Sequence, residues 1–127
     1  MGCDIHVYVE AKHNDKWEHL TRVEDAGRSY SMFAMMANIY NDGGIEPISE
    51  PRGLPADVTT ETAKHYSSEE YFGASWLSDG EIALLRDRYA EYMKKEYGDV
   101  ESDITRDYFG IVYPNSQELR LVFWFDN

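Results

Sequence analysis

Alternation of apolar and polar side chains at both ends of the chain constrains the fold more than any other sequence feature. Residues 4–10 read Asp-Ile-His-Val-Tyr-Val-Glu, and residues 118–126 alternate around Leu119, Leu121, Phe123 and Phe125. Successive side chains of a β-strand point to opposite faces, so each stretch predicts a strand, the first with one buried face. We expect the first and last strands to pair.

Turn residues and changes of period divide the rest of the chain. His13-Asn14-Asp15 predicts a turn into a second strand over about residues 16–24, and another strand is expected over about 107–113. Helical spacing predicts one helix over 30–40, capped by Ser29 or Ser31, and a longer one from the capping box Ser78-Asp79-Gly80-Glu81 to Gly98. Residues 57–66 predict a short helix only weakly, because several of them are β-branched.

Length and composition place these elements in one domain. The chain has 127 residues, of which 43% are hydrophobic, and this is enough for a single core. We predict one α+β domain over residues 1–127, in which a small antiparallel sheet, made of the N-terminal hairpin and the C-terminal strands, packs with two or three helices. A lone cysteine, no secretion signal and no apolar run of the roughly 20 residues that span a bilayer favour the cytoplasm.

The charge balance limits the partners. Twenty-four acidic residues against twelve Lys and Arg give a formal charge of −12. Such a field repels a phosphate backbone, so we expect no nucleic acid polymer as partner, and no membrane. A small anion is still compatible with this charge, because a few arginines outweigh the net charge at short range.

A rigid loop supplies the first candidate ligand residue. Residues 45–54 predict a long loop of the functional or lid-like kind, and it leads into Pro51-Arg52-Gly53-Leu54-Pro55. The prolines stiffen this stretch, and the planar guanidinium of Arg52 suits a carboxylate or phosphate. The alternative is that Arg52 simply pairs with Glu50 or Asp57.

Other candidates lie near the start of the first helix. Arg22 and Arg28 flank this start, where free backbone N–H groups favour anions. With Arg52 and Tyr30 they are expected to form a small anion pocket. The full set of candidate ligand-binding residues is Arg52, Arg28, Tyr30, His6, Trp76 and Arg22.

A second hypothesis concerns Asp4, His6 and Asp126. Asp4 and His6 share one face of the first strand, and an antiparallel last strand would bring Asp126 or Asn127 beside them. Two carboxylates and an imidazole could hold a divalent metal or carry acid–base chemistry. The structural alternative is that the carboxylates bind backbone ends while His6 packs beside Tyr8 and Trp124.

Specific catalytic motifs are absent from the sequence. There is no Walker loop, dinucleotide fingerprint, paired CxxC or HExxH. Gly73-Ala74-Ser75-Trp76-Leu77 is not a nucleophile elbow, because Leu77 replaces the second glycine and we expect no strand leading into Ser75. The sequence therefore favours a binding protein without a cofactor over an enzyme.

Landmarks along the chain resemble a family of small proteins that begin MGCDIH and end in FDN, common in bacteriophage genomes and related bacterial islands. The resemblance rests on Met1-Gly2-Cys3-Asp4-Ile5-His6, the Tyr30-x-x-Phe33-Ala34-x-x-Ala37 helix, the Arg52 loop, Ser75-Trp76-Leu77 and the end Val122-Phe123-Trp124-Phe125-Asp126-Asn127. This chain departs from the family at Phe72-Gly73, where the family carries a His-Ser pair. The resemblance implies a context, the cytosol of a phage-infected host, and no mechanism.

These observations lead to ranked hypotheses. The first is a phage accessory protein that sequesters a small anionic, nucleotide-like ligand, such as a host defence signal, without catalysis. We expect this protein to be a homo-oligomer. Its aromatic side chains would stack on the ligand and its arginines would bind phosphate. The second is a metal-dependent hydrolase that uses Asp4, His6 and Asp126. The third is an acidic inhibitor that binds a host protein.

Overall fold

The structure, a computed structural model, describes residues 2–24, 26–98 and 118–127. Its elements in chain order are β1 (Asp4–His13), β2 (Lys16–Arg22), α1 (Tyr30–Ala37), α2 (Thr60–Ala63), β3 (Phe72–Ser78), α3 (Asp79–Tyr97) and β4 (Leu119–Asp126). Within these residues the strands form one antiparallel sheet of order β2-β1-β4-β3. The predicted α+β class is confirmed. The strand expected over 107–113 lies outside the described residues.

Pairing of β1 with β4 forms the centre of the sheet. The register runs from Asp4 opposite Asp126 to Ala11 opposite Leu119. The expected pairing of the first and last strands is therefore confirmed, and each central strand has a neighbour on both sides.

One face of the sheet carries the main core, as the alternation predicts. Its inward side chains come from the central strands and pack against α1 and α3; they include Val7, Val9, Leu121, Phe123 and Phe125, all fully buried. Burying such side chains contributes roughly 1.5–3 kcal/mol each, so this face is the main source of stability.

The opposite face is buried as well, and the prediction of a single buried face for β1 was wrong. Tyr8 and Glu10 of β1 and Val122 and Trp124 of β4 are all at most 2% exposed. A covering segment, residues 52–71, lies over them, with Leu54, Val58 and Tyr71 among its contacts. The alternation of side chains within β1 cannot predict that its second face is buried. The alternation depends only on residues within the strand, whereas the burial depends on a segment that follows β1 by about 40 residues in the chain.

The edge strand β3 corrects the expectation that no strand leads into Ser75. Gly73 has φ of +65°, and the β3–β4 register shifts between Phe72 and Ser75. A Cβ at Gly73 would lie 3.0 Å from the Phe125 ring, so glycine is needed here. The bulge interrupts the alternation of inward and outward side chains, so the sequence pattern does not indicate a strand here.

Helix ends follow their capping residues. Ser29 caps α1 as expected, but α1 ends at Ala37 and not near residue 40, because Asn38 adopts a left-handed conformation and donates its N–H to the Ala34 carbonyl. The capping box at the start of α3 is confirmed. The weakly predicted helix at 57–66 shortens to a single turn, α2. None of the described helices has the length and apolarity needed to cross a membrane.

Candidate functional site

The structure distributes the candidate ligand residues over separate cavities. Arg22, Arg28 and His6 line one, Tyr30 lines a second, and Arg52 and Trp76 line a third. The expected single pocket containing Arg22, Arg28, Arg52 and Tyr30 is therefore wrong. The physical reason is that Arg52 begins the segment that covers the second face of the sheet and lies beside β3, at the edge away from β2.

The first of these, called here the arginine cavity, has a volume of about 460 Å³. It is formed by the start of β1 and by the chain that runs from the end of β2 towards α1. Its polar lining consists of Asp4, His6, Arg22, Glu24 and Arg28. Residues distant in sequence meet here because β1 pairs with β2, which sets Tyr8 opposite Arg22, and because Arg28 donates to Asp4 at the start of β1.

His6 is held in place by Asp126. The β1–β4 register sets Asp4 opposite Asp126, two residues before His6, and the His6 Nε2 lies 2.5 Å from the Asp126 Oδ2. Both side chains are about three-quarters buried, and the His6 ring packs against Tyr71 and Trp124. Within the described residues, no group contacts the other ring nitrogen of His6 at hydrogen-bond distance. An imidazole fixed on one side by a carboxylate keeps its second nitrogen for another partner.

Arg28 and Arg22 differ in their partners. Arg28 donates to the Asp4 carboxylate from Nη2 at 2.6 Å and from Nε at 3.2 Å, and this hydrogen bonding raises the pKa of Arg28. The guanidinium of Arg22 lies 5.9 Å from the centre of the Tyr8 ring, and no carboxylate of the described residues is within ion-pair distance of it. Among the described residues, the cavity therefore offers one guanidinium without an ion-pair partner and one whose exposed partner is easily exchanged.

The metal hypothesis finds no supporting cluster. Asp126 contacts His6, but Asp4 is directed to Arg28. Across residues 2–24, 26–98 and 118–127, no three His, Cys, Asp or Glu side chains are grouped so that they could hold a metal ion. The structural alternative holds in part, because His6 packs beside Trp124, but its other ring neighbour is Tyr71 and not Tyr8. The two carboxylates bind the side chains of Arg28 and His6 and not backbone ends.

Arg52 pairs with a residue that neither sequence alternative named. Its guanidinium makes a two-pronged contact with the Glu81 carboxylate, at 2.7 and 2.5 Å, and lies 4.6 Å from the centre of the Trp76 ring. The backbone N–H of Arg52 donates to the Ser75 hydroxyl at 3.0 Å. Arg52 thus fastens the covering segment to β3 and α3, and its fork is already occupied.

The Arg52 contact gives a pH-dependent stability. Hydrogen bonds from Arg52 lower the pKa of Glu81 to about 2 from the usual 4.5. A lowered folded-state pKa stabilises the protein above pH 4.5, and this contribution is lost as pH falls towards 2. We expect Glu81→Gln, which keeps the capping hydrogen bond, to cost about 1–2 kcal/mol of unfolding free energy at pH 7.

Urea unfolding of both proteins between pH 7 and pH 2 checks this expectation. The difference between them should shrink below pH 4.5 and vanish near pH 2. Glu91→Gln, on the exposed side of α3, serves as the control, with a change of about 0.5 kcal/mol or less. A difference that persists unchanged at low pH would contradict the ion-pair explanation.

A buried ionic network on the second face was not predicted. Glu10 is completely buried and Arg120 is 5% exposed. Arg120 Nε donates to Glu10 Oε1 at 2.8 Å, and the Thr59 N–H and hydroxyl donate to the other Glu10 oxygen. Arg120 also binds Asp57 and lies 4.0 Å from the centre of the Trp17 ring. The β1–β4 register places Glu10 directly opposite Arg120, and these opposite charges indicate a pair. The sequence does not give that register, so the pair could not be predicted from it.

Two buried side chains, Cys3 and Trp124, have polar atoms that could carry chemistry. Burial and the nearby carboxylates raise the pKa of the Cys3 thiol, so it is held protonated and does not act as a ready nucleophile. The indole N–H of Trp124 is buried without a hydrogen-bond partner in the described residues. Tyr66 packs T-shaped against Trp124 at 5.0 Å, an arrangement in which an aromatic face accepts a weak N–H contact.

Comparison with known proteins adds no relative. No protein-family model, curated protein or solved structure matches this chain. The resemblance to the MGCDIH family stays a prediction. Function is therefore inferred from the geometry of the arginine cavity.

Proposed function

We propose that this protein binds a small anionic, nucleotide-like ligand in the arginine cavity and holds it without chemical change. The observation that carries the proposal is the convergence of Arg22, Arg28 and His6 on one cavity of about 460 Å³. Two guanidinium groups and an imidazole can each donate to a phosphate, and at short range they can outweigh the net charge of −12.

The charge of the cavity supports a ligand that exchanges with a carboxylate. Arg28 already forms an ion pair with Asp4, and both side chains are about half exposed. An incoming phosphate would replace Asp4 as the partner of Arg28. It would also meet Arg22, which makes no ion pair with any of the described residues. Exposed ion pairs contribute little to stability, so this exchange costs little.

The biological context follows from the family resemblance and is part of the proposal. In a phage-infected cytosol, a nucleotide-like anion bound without turnover would be a host defence signal, and sequestration would lower its free concentration. A homo-oligomer fits this role, because a second copy would enclose a cavity that one copy leaves open. Sedimentation velocity of the purified protein tests the oligomer.

Ligand recovery separates binding from hydrolysis. The protein is incubated with cyclic nucleotides and ADP-ribose-type nucleotides, filtered to measure depletion, and then denatured by heat. Depletion followed by recovery of the intact nucleotide supports sequestration. Recovery of an altered nucleotide, abolished by chelator, would instead support the metal-dependent hydrolase, and no depletion of any candidate would contradict both. An acidic inhibitor would deplete nothing.

Arg22 gives the sharpest test of the location. We expect Arg22→Ala to weaken binding of the depleted nucleotide roughly 10- to 100-fold, the loss of one charge-assisted hydrogen bond. Isothermal titration measures this loss. Arg52→Ala is the matched control, because its guanidinium is committed to Glu81 in another cavity and binding should not change. Loss of affinity in the Arg52 variant and not in the Arg22 variant would move the site to the Arg52 cavity.

A further inference from the structure

A separate cavity of about 420 Å³ has a different chemistry. We call it the tyrosine cavity, and its lining includes Tyr30, Tyr40, Tyr92, Asn41 and Asp42. Tyr30 and Tyr40 are 45% and 50% exposed, among the most exposed large hydrophobic side chains of the described residues. Their ring centres lie 5.9 Å apart with planes inclined at 59°, so the rings form a corner.

The hydroxyl groups of this corner are already engaged. The Tyr30 oxygen accepts the Cys3 backbone N–H at 3.1 Å, and the Tyr40 hydroxyl donates to the Asn127 side chain at 2.7 Å. These hydrogen bonds fix the orientation of both rings. The exposed ring faces are then the largest surfaces that the two side chains offer to a ligand.

The backbone holds Tyr40 in an unusual conformation. Its φ is +49°, which is rare for a bulky residue. The Phe72 ring meets Tyr40 edge-on at 6.3 Å, and Asn41 ties the next turn by hydrogen bonds to Asn38 and Ile45. Such outliers persist where the surroundings enforce them and are concentrated at ligand clamps and active sites.

The charge of the lining is negative. Asp42 is the charged residue among those that line the cavity in the described part of the chain, and no Lys, Arg or His lines it. Arg28 is close enough to Tyr30 to interact electrostatically, but its charge is balanced by Asp4. Aromatic faces attract cations through their quadrupole, and a carboxylate at the rim adds to this attraction.

We propose that the tyrosine cavity binds a small organic cation of the alkylammonium class. The positive group would lie against the rings of Tyr30 and Tyr40, with Asp42 as its counter-ion. The net charge of −12 attracts such a ligand at long range. This cavity is distinct from the anion site proposed above, since Arg22, Arg28 and His6 do not line it.

Choline and its uncharged carbon isostere, 3,3-dimethylbutan-1-ol, distinguish cation recognition from apolar filling. Each is titrated into the full chain while the tyrosine ring resonances are followed by NMR. We expect saturable shifts with choline and roughly 3- to 30-fold weaker binding of the isostere. Equal binding of the two, or no saturable shift with choline, would overturn the proposal.

Variants locate the effect. Tyr40→Leu and Asp42→Asn should each weaken choline binding several-fold, whereas Tyr97→Leu, at an exposed position outside the cavity, should not. Asp42 is exposed, so its variant reports on binding even if Tyr40→Leu disturbs the fold. Arg22→Ala should leave choline binding intact, which separates failure of this site from failure of the anion site. Unchanged affinity in the Asp42 variant would remove the carboxylate from the proposal and overturn it as written.

Discussion

Arg120→Met is expected to lower the free energy of unfolding by about 3–5 kcal/mol, because it leaves the Glu10 carboxylate buried without a counter-charge. Glu10 is completely buried, and its remaining donors come from Thr59. Since small domains are stable by only about 5–15 kcal/mol, this change approaches the whole margin. Urea unfolding followed by tryptophan fluorescence measures the loss.

Arg52→Met is the matched control for this prediction. Arg52 and Arg120 each pair with a carboxylate and lie over a tryptophan ring, at 4.6 and 4.0 Å, but Arg52 is 27% exposed and Arg120 5%. Water can solvate Glu81 after the Arg52 change, so we expect a loss of about 1–2 kcal/mol. The double variant Glu10→Gln, Arg120→Met should lose less than Arg120→Met alone. Equal losses in the two single variants would show that burial of the carboxylate is not the cause.

Trp124→Ala is expected to cost about 3–5 kcal/mol, the range for removing a fully buried large aromatic side chain. Trp124 has no exposed surface and packs against Tyr8 at 4.9 Å and Tyr66 at 5.0 Å. The loss would establish that the second face of the sheet is a core in its own right. Thermal and urea unfolding both report on it.

Tyr97→Ala is the comparison for Trp124→Ala. Tyr97 is also a large aromatic residue but is 66% exposed at the end of α3. Its truncation should change the unfolding free energy by about 0.5 kcal/mol or less. If Trp124→Ala were equally mild, the covering segment would not be packed on the sheet, and the second core would be refuted.

Several local features were predictable because they depend on neighbours in the chain. The strand periods at both ends, the Ser29 cap and the Ser78–Glu81 capping box all appear where their residue patterns place them. β3 was not predicted because the bulge at Gly73 interrupts the alternation of side chains in a strand of only seven residues. The end of α1 was misjudged because Asn38 takes the left-handed cap before the helical spacing of apolar residues ends at Tyr40.

The candidate site was only partly predictable. His6 and Asp126 were expected to meet once the end strands pair, and they do. Arg52 was expected to join Arg22 and Arg28, but it lies in a different cavity, and its partner Glu81 is 29 positions away. The residue type indicated that the guanidinium of Arg52 would pair with a carboxylate or phosphate, but it did not indicate that the carboxylate belongs to Glu81.

The sequence by itself determined the secondary structure at the two ends, the N-caps of α1 and α3 and the sign of the protein's net charge, because each depends on local pattern or on a sum over the chain. The tertiary structure alone decided that residues 52–71 cover the second face, that Glu10 pairs with Arg120 across 110 positions, and that the arginines are divided between cavities. Those outcomes depend on strand register and on the path of a loop. Both are set by the total packing energy of the folded chain, which no single stretch of sequence contains.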